Sequence, residues 1–194
     1  MILGVTGGLG CGKSTASAML VKAGYRGIDS DALVREHVLL APEVLAKLRA
    51  RFGEAIITLD GVVDRNRLAA KVFADDGERL WLEELIHPAV LALWREQLRS
   101  DPRGKWVIEV PLLFEKHLEN WFDFTICVAS APELQLARLE QRGLSRPLAE
   151  QRISKQLPLA HKIEHSDFVL WNDGPLTFLQ KQVDLTIAAL AKHD

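Results

Sequence analysis

The chain has 194 residues, of which 48% are hydrophobic and 26% charged, as in an ordinary soluble globular protein of one domain. Its net charge of −2 argues against a nucleic-acid-binding protein, because such domains are usually strongly basic. No apolar run is long enough to span a membrane, no signal peptide is expected, and the two cysteines predict no structural disulfide. We therefore expect a cytoplasmic protein.

A glycine cluster follows the first predicted strand, residues 2–6, and precedes a predicted helix. Gly7, Gly12, Lys13 and Ser14 fit the pattern G-x-x-x-x-G-K-[ST] of a phosphate-binding loop, in which backbone N–H groups surround a polyphosphate. We expect Lys13 to contact the β and γ phosphates and the Ser14 hydroxyl to ligate Mg²⁺. A glycine-rich turn that binds nothing is the alternative.

Four further strands are predicted along the chain, at residues 25–29, 106–110, 124–128 and 168–171. Because helical patterns separate them, the fold class is α/β with a parallel five-stranded sheet and flanking helices.

Two segments interrupt this alternation. Residues 32–100 contain only amphipathic helical patterns and are interpreted as a helical insertion. Residues 138–165 form a polar helical stretch with six Lys or Arg against three Glu. Because the rest of the chain is net negative, this basic charge is interpreted as functional. A solvated helix face is the alternative.

Asp29 and Asp31 stand where the second strand should end. Ligands of open α/β sheets bind at the carboxyl ends of strands. Strand alternation would direct both carboxylates to one side, towards Mg²⁺ or an acceptor hydroxyl. Asp31 could instead only cap the next helix.

Other candidates follow the later strands. Glu109 could position the Mg²⁺ shell and Glu115 lies just beyond it, although either could be a surface acid. Arg138 and Arg142 are four residues apart, hence predicted on one helix face, and could meet the charge of a transferring phosphoryl group or pair with nearby glutamates. Asn172 could contact an adenine edge or belong only to a turn.

Several motifs, in order, resemble those of the dephospho-CoA kinase family. They are "GVTGGLGCGKST", "IDSDALVRE", "GVVDRNRLAAKVF", "LIHPAV", "EVPLLFE", "RISKQLPLAHK" and "SDFVLWNDG". The resemblance runs from residue 2 to about residue 175. Cys11 stands where the family usually has serine, and Ser30 and Ser166 replace alanines.

The resemblance implies a single P-loop NTPase-type kinase domain over residues 1–194. In it, residues 32–100 would bind the CoA substrate and residues 138–165 would form a lid over ATP. The implied reaction is phosphorylation of the ribose 3′-hydroxyl of dephospho-CoA by ATP with Mg²⁺, giving CoA and ADP. The implied partners are these two substrates, with no nucleic acid and no membrane, and a monomer is expected.

The resemblance also implies roles for individual residues. Asp31, Lys13 and Arg142 would be catalytic, with Asp31 facing the acceptor hydroxyl, and Ser14 would ligate the metal. ATP would contact Gly8, Leu9, Gly10, Cys11, Gly12, Lys13, Ser14, Thr15, Arg138 and Asn172. Dephospho-CoA would contact Thr6, Asp31, Arg65, His87, Leu113 and Glu115.

Two other functions remain open at this point. A kinase for another small acceptor, such as shikimate or a nucleoside monophosphate, would share the loop and the lid. A GTPase switch should carry an Asn-Lys-x-Asp guanine motif, which the sequence lacks.

Cys11 also prompts a prediction of reactivity. Because it precedes a helix and lies close to Lys13 in sequence, we expect a lowered pKa and faster alkylation than at Cys127, which a buried strand should contain. The alternative is an inert thiol that points into the protein.

Overall fold

The computed structural model describes residues 1–192, apart from the side chain of Phe73. Its five strands are β1 (Ile2–Gly7), β2 (Arg26–Asp29), β3 (Trp106–Glu109), β4 (Phe124–Ala129) and β5 (Phe168–Trp171). Its α-helices are α1 (Lys13–Lys22), α2 (Ser30–Glu36), α3 (Pro42–Phe52), α4 (Arg65–Ala74), α5 (Asp76–Ser100), α6 (Pro132–Gln141), α7 (Arg146–Ser154), α8 (Leu159–Glu164) and α9 (Leu176–Leu190). All five predicted strands are confirmed.

The strands form one sheet in the order β2-β3-β1-β4-β5. Strand β1 pairs in parallel with β3 and with β4, and β4 pairs in parallel with β5. Since β1 lies at the centre, its end delivers the glycine loop to the middle of the sheet's carboxyl edge, where parallel α/β sheets bind ligands.

The chain divides into two compact units. The first contains Met1–Ile28 and Arg103–Asp194, and the second contains Asp29–Pro102. The core of the first unit is built where α1 and α9 pack on the strands. Its buried apolar side chains include Leu3, Val5, Leu20, Ile126, Leu170, Leu179 and Val183. Neighbouring strand residues that face opposite sides of the sheet, such as Ile126 and Cys127, are both buried, which explains why the strands are continuously apolar in sequence.

Helices α2 to α5 make up most of the second unit. Helix α5 spans 25 residues and continues through Pro88, although proline removes one backbone donor from a helix. Trp94 of α5 is buried, and Trp81 meets Phe52 edge-on with ring centroids 5.7 Å apart. These contacts show that the amphipathic patterns of the sequence are helical faces that bury apolar side chains.

The end of β2 differs from the prediction. Strand β2 stops at Asp29, and Asp31 already belongs to the first turn of α2. Strand alternation therefore does not place the two carboxylates on one side, because a helix begins between them. Within residues 1–192, no helix is long and apolar enough to cross a membrane.

Candidate active site

The glycine loop joins β1 to α1 and leaves the start of that helix open. Gly12 is the N-cap of α1 with φ 95° and ψ 30°, a left-handed conformation that favours glycine. No side chain forms a capping hydrogen bond there. The N-terminus of α1 thus carries no capping side chain, and the helix dipole attracts an anion there.

Lys13 lies inside this loop. It is 7% exposed, and its ammonium donates to the carbonyl oxygens of Gly8, at 3.0 Å, and of Gly7, at 3.4 Å. The loop therefore holds a buried positive charge on its own carbonyls, close to the open helix terminus. This is the arrangement that a bound polyphosphate would neutralise.

Two side chains from distant parts of the chain donate hydrogen bonds to carbonyl oxygens of the loop. The buried amide of Asn172 donates to the Cys11 carbonyl at 2.9 Å, and Arg138 donates to the Gly10 carbonyl at 3.3 Å. Arg138 also donates to the Asn172 carbonyl at 2.6 Å. Both residues thus fix the loop, whereas a contact of either with ATP stays a prediction.

Ser130 and Gln135 support the same loop and were missed in the sequence. The Ser130 hydroxyl donates to the Asn172 carbonyl at 3.0 Å and accepts from Arg138 at 2.9 Å. The buried Gln135 amide donates to the Ser130 carbonyl at 2.8 Å. The position of Ser130 directly after β4 was the only available signal, because strand ends surround such a loop.

The Ser14 hydroxyl donates to a carboxylate oxygen of Glu109 at 3.0 Å. A hydroxyl and a carboxylate are the hard oxygen donors that Mg²⁺ accepts, and such sites usually take further oxygens from phosphates and water. Residues 1–192 contain no group of three His, Cys, Asp or Glu side chains that could hold a metal alone. The pair therefore fits a divalent ion that arrives with a nucleotide.

The two aspartates after β2 have different surroundings. Asp29 is the N-cap of α2, and its carboxylate accepts from the Ala32 N–H at 2.9 Å. Asp31 lies in the first turn of α2 and is exposed. The alternative that Asp31 caps the helix is therefore wrong, because Asp29 does so.

Glu115 forms a buried ion pair with Lys162, the ammonium lying 2.8 Å from Oε1. The same oxygen accepts from the Leu157 N–H at 2.9 Å, and the fully buried Lys162 donates to the Pro111 carbonyl at 2.7 Å. No group among the described residues donates to Oε2 of Glu115, which is buried. Lys162 was missed because a lysine in a basic segment looks solvated.

The structure buries two of the residues that are predicted to contact the substrate. Thr6 and Leu113 are both 0% exposed. The Thr6 hydroxyl faces the Pro111 carbonyl at 3.4 Å, and Leu113 packs in the core against β1. Their side chains are enclosed by the protein in this structure, and a contact of either with dephospho-CoA stays a prediction.

Helix α6 ends at Gln141, and Arg142 is its exposed C-cap. Arg138, by contrast, is half-buried on the loop. Arg142 lies one residue beyond the helix, with its N–H bonded to the Leu139 carbonyl, and joint action of the two arginines from one face stays a prediction. In the second unit, Arg65 is the exposed first residue of α4 and His87 is half-buried in α5.

The cysteine prediction is also overturned. Cys11 and Cys127 are both 0% exposed and free of disulfide. Burial raises the pKa of the Cys11 thiol despite the opposing charge of Lys13, and it raises the pKa of Cys127 to about 12. The predicted effect of the nearby cation exists, but desolvation outweighs it.

A cavity of about 370 Å³ adjoins the glycine loop within the first unit. Gly8 and Leu9 line one side, and α6, α7 and the residues before α8 line the others. This volume is typical of small-molecule sites. The first unit therefore combines a cavity, a helix N-terminus, a buried lysine and a hydroxyl–carboxylate pair, a set of groups suited to binding a metal–polyphosphate.

Comparison with known proteins agrees with this chemistry. Residues 1–177 match the family model described as dephospho-CoA kinase. A Thermosynechococcus vestitus protein named dephospho-CoA kinase is 43% identical over 98% of this chain and 95% of its own length. The crystal structure of TT1252 from Thermus thermophilus superposes with a TM-score of 0.83 at 35% identity, over 98% of this chain and 97% of that one. Dephospho-CoA kinase from Campylobacter jejuni gives a TM-score of 0.72 at 25% identity, over 99% and 98%.

Proposed function

The chain belongs to the dephospho-CoA kinase family, and from this premise we propose how its residues transfer phosphate from ATP to the ribose 3′-hydroxyl of dephospho-CoA. The products are CoA and ADP, in the final step of CoA synthesis. The open N-terminus of α1, with Lys13 buried in the loop before it, is the observation that carries this mechanism.

Transfer forms a bond between the acceptor oxygen and the γ-phosphorus and breaks the bond from that phosphorus to the bridging oxygen of ADP. The transition state is loose, so positioning and charge stabilisation dominate. Lys13 meets the negative charge on the β and γ phosphates. Arg142 meets the charge of the transferring group, and its exposure at the end of α6 supports this role.

Asp31 orients the acceptor hydroxyl and can accept its proton as the new bond forms. Its exposure supports this role, as does the fact that Asp29 alone caps α2. Arg65 and His87 contact the acceptor as well. Glu115 accepts a hydrogen bond from it through Oε2, which has no donor among the described residues. Residues 32–100 thus serve as the acceptor-binding segment.

The family uses a divalent metal with ATP, which we propose is Mg²⁺. Ser14 and Glu109 would hold it together with phosphate oxygens, and it would supply positive charge to the polyphosphate. Residues 138–165 act as a lid that excludes water, which would otherwise accept the phosphate. Helices α6 and α7 around the loop cavity support this assignment.

We further propose that the enzyme acts in the cytoplasm as a monomer, without nucleic acid or a membrane. Two buried free thiols are compatible with a reducing compartment.

A coupled assay of ADP release tests the proposed function. With ATP and Mg²⁺, dephospho-CoA should support rapid turnover, while shikimate and nucleoside monophosphates should not. Phosphate on the ribose 3′-oxygen should be verified by ³¹P NMR of the product. Preference for another acceptor, or ATP hydrolysis unaffected by dephospho-CoA, would contradict the proposal.

A further inference from the structure

A small cavity in the unit Asp29–Pro102 combines two arginines with apolar walls. Its volume is about 310 Å³, which is at the lower end for ligand cavities. The lining residues are Arg35, Leu39, Leu40, Val62, Val63 and Arg65. Helix α2 and the turn after it contribute one wall, and the segment leading into α4 contributes the other.

Local structure fixes both walls. Arg35 lies in the last turn of α2, and a 3₁₀ turn, Val38–Leu40, follows it. On the other side, Ile57 and Val63 form an antiparallel bridge that closes a short turn. Arg65 then begins α4, directly after a capping aspartate. The two arginines are thus presented by backbone that is held by hydrogen bonds, instead of by a long open loop.

The guanidinium groups of Arg35 and Arg65 are available to a ligand. Both residues are exposed, and within residues 1–192 neither makes a hydrogen bond or an ion pair. Other arginines of the same unit, namely Arg51, Arg67 and Arg79, each pair with a carboxylate. Two unneutralised cations at one cavity indicate an anionic ligand group.

The apolar part of the cavity reaches the surface. Leu40 is 48% exposed and Val62 is 39% exposed, while Leu39 and Val63 behind them are buried. A ligand that touches all of these residues must join an anionic group to an apolar chain. A diphosphate linked to the gem-dimethyl end of a pantetheine arm joins these two kinds of group, whereas an inorganic anion or a sugar does not.

The position of Arg35 along α2 agrees with such a ligand. Arg35 follows Asp31 by four residues, so both lie on one helix face, separated by a rise of about 6 Å. In dephospho-CoA, the ribose 3′-oxygen and the 5′-diphosphate are likewise separated by only a few bonds. A ribose oriented by Asp31 can therefore present its diphosphate to Arg35.

We propose that Arg35 is a substrate-specificity residue that binds, together with Arg65, the diphosphate of dephospho-CoA, and that Leu40 and Val62 bind the adjoining part of the pantetheine arm. This inference rests on the proposed function, because the ligand is its acceptor substrate. It adds Arg35 and the apolar wall to the residues that the family resemblance implied.

Calorimetric binding of dephospho-CoA tests the inference separately from turnover. Arg35→Ala should weaken binding of dephospho-CoA by about 10- to 100-fold, the scale of a lost charge-assisted contact. Binding of MgATP should stay within about twofold, since phosphates of ATP bind elsewhere. Leu40→Asn should weaken dephospho-CoA binding by about 3- to 10-fold through loss of apolar contact.

Arg49→Ala is the matched control. Arg49 belongs to the same unit but forms a surface ion pair with Glu54 at 3.4 Å and does not line the cavity. Unchanged dephospho-CoA binding in Arg35→Ala, or an equal loss in Arg49→Ala, would overturn the inference. If the wild type binds dephospho-CoA through Arg35 yet transfers no phosphate to it, the proposed function fails while the assignment of the cavity stands.

Discussion

At the scale of single residues, burial and capping decide roles that sequence spacing leaves open. Asp29 and Asp31 are equivalent acids in the sequence, but only Asp29 caps α2. Cys11 and Lys13 occupy the same loop, but the lysine reaches carbonyl oxygens while the thiol is fully buried. Each role follows from what the side chain contacts, which a motif does not specify.

Asp31→Asn should lower kcat by on the order of 10²-fold, because the amide cannot accept the hydroxyl proton and orients the hydroxyl poorly. ATP affinity should be unchanged. The measurement is steady-state ADP release together with calorimetry of MgATP.

Asp29→Ala is the matched control for this substitution. It should cost about 1 kcal/mol of unfolding free energy through loss of the cap, with a much smaller effect on kcat. Near-normal turnover of Asp31→Asn would show that Asp31 is not the orienting group.

Cys11 should react with N-ethylmaleimide on the order of 10²-fold more slowly than a free thiol, because it is buried and its pKa is raised. Urea should expose Cys11 and Cys127 together. Mass spectrometry of peptides after brief labelling measures both sites.

Cys11→Ser should remain active, since a serine fits the same loop position. Rapid inactivation that MgATP prevents would contradict this expectation and favour the reactive thiol that the sequence suggested.

At the scale of elements, the glycine loop is held by parts of the chain that are distant in sequence. Asn172 follows β5 and Arg138 belongs to α6, yet both bind loop carbonyls. Such contacts fix the backbone before a nucleotide arrives, which lowers the ordering cost of binding. Arg142, one turn after Arg138, has left the helix and is exposed.

Arg142→Ala should reduce kcat by roughly 10²- to 10³-fold, because the charge that the arginine meets is largest in the transition state. Ground-state ATP affinity should change by less than about threefold. Single-turnover phosphate transfer and calorimetry together separate the two effects.

Arg146→Ala is the control for this prediction, since Arg146 belongs to the same segment but pairs with Glu150 at 3.2 Å. It should be close to wild type. A loss of ATP affinity in Arg142→Ala with kcat unchanged would show that Arg142 only binds the nucleotide.

At the scale of the whole molecule, the sheet buries a thiol that affects stability at alkaline pH. Burial raises the pKa of the Cys127 thiol from its ordinary value of 9.0 to about 12. Above pH 9 the unfolded chain loses the thiol proton while the folded protein retains it. Stability contributed by the neutral thiol is therefore complete below pH 9 and declines as the pH rises towards 12.

Ionisation of the Cys127 thiol should thus lower the free energy of unfolding by up to about 1.4 kcal/mol per pH unit between pH 9 and pH 12. Urea titrations at several pH values would measure the slope. In Cys127→Ala the slope should be shallower, whatever the loss of packing does to absolute stability. Identical slopes would show that Cys127 ionises equally well in the folded state.

The sequence by itself determined the features that local pattern controls. Five apolar runs between helical patterns specified the parallel sheet, and G-x-x-x-x-G-K-[ST] specified the loop, because the loop needs glycine backbone and a lysine at fixed spacing. Motifs in the correct order also identified the family. All of these depend on residues that are neighbours in the chain.

Only the tertiary structure decided which side chains are accessible and what they bind. It placed Asn172 and Arg138 behind the loop, buried Lys162 against Glu115, enclosed Thr6 and Cys11, and joined Arg35 to a cavity with Arg65. These outcomes depend on contacts between residues far apart in sequence, and on a desolvation cost that is set by packing. Residue spacing carries no information about these contacts or about this desolvation cost. The sequence could therefore predict the chemistry of the site, but only the fold shows which residues support it.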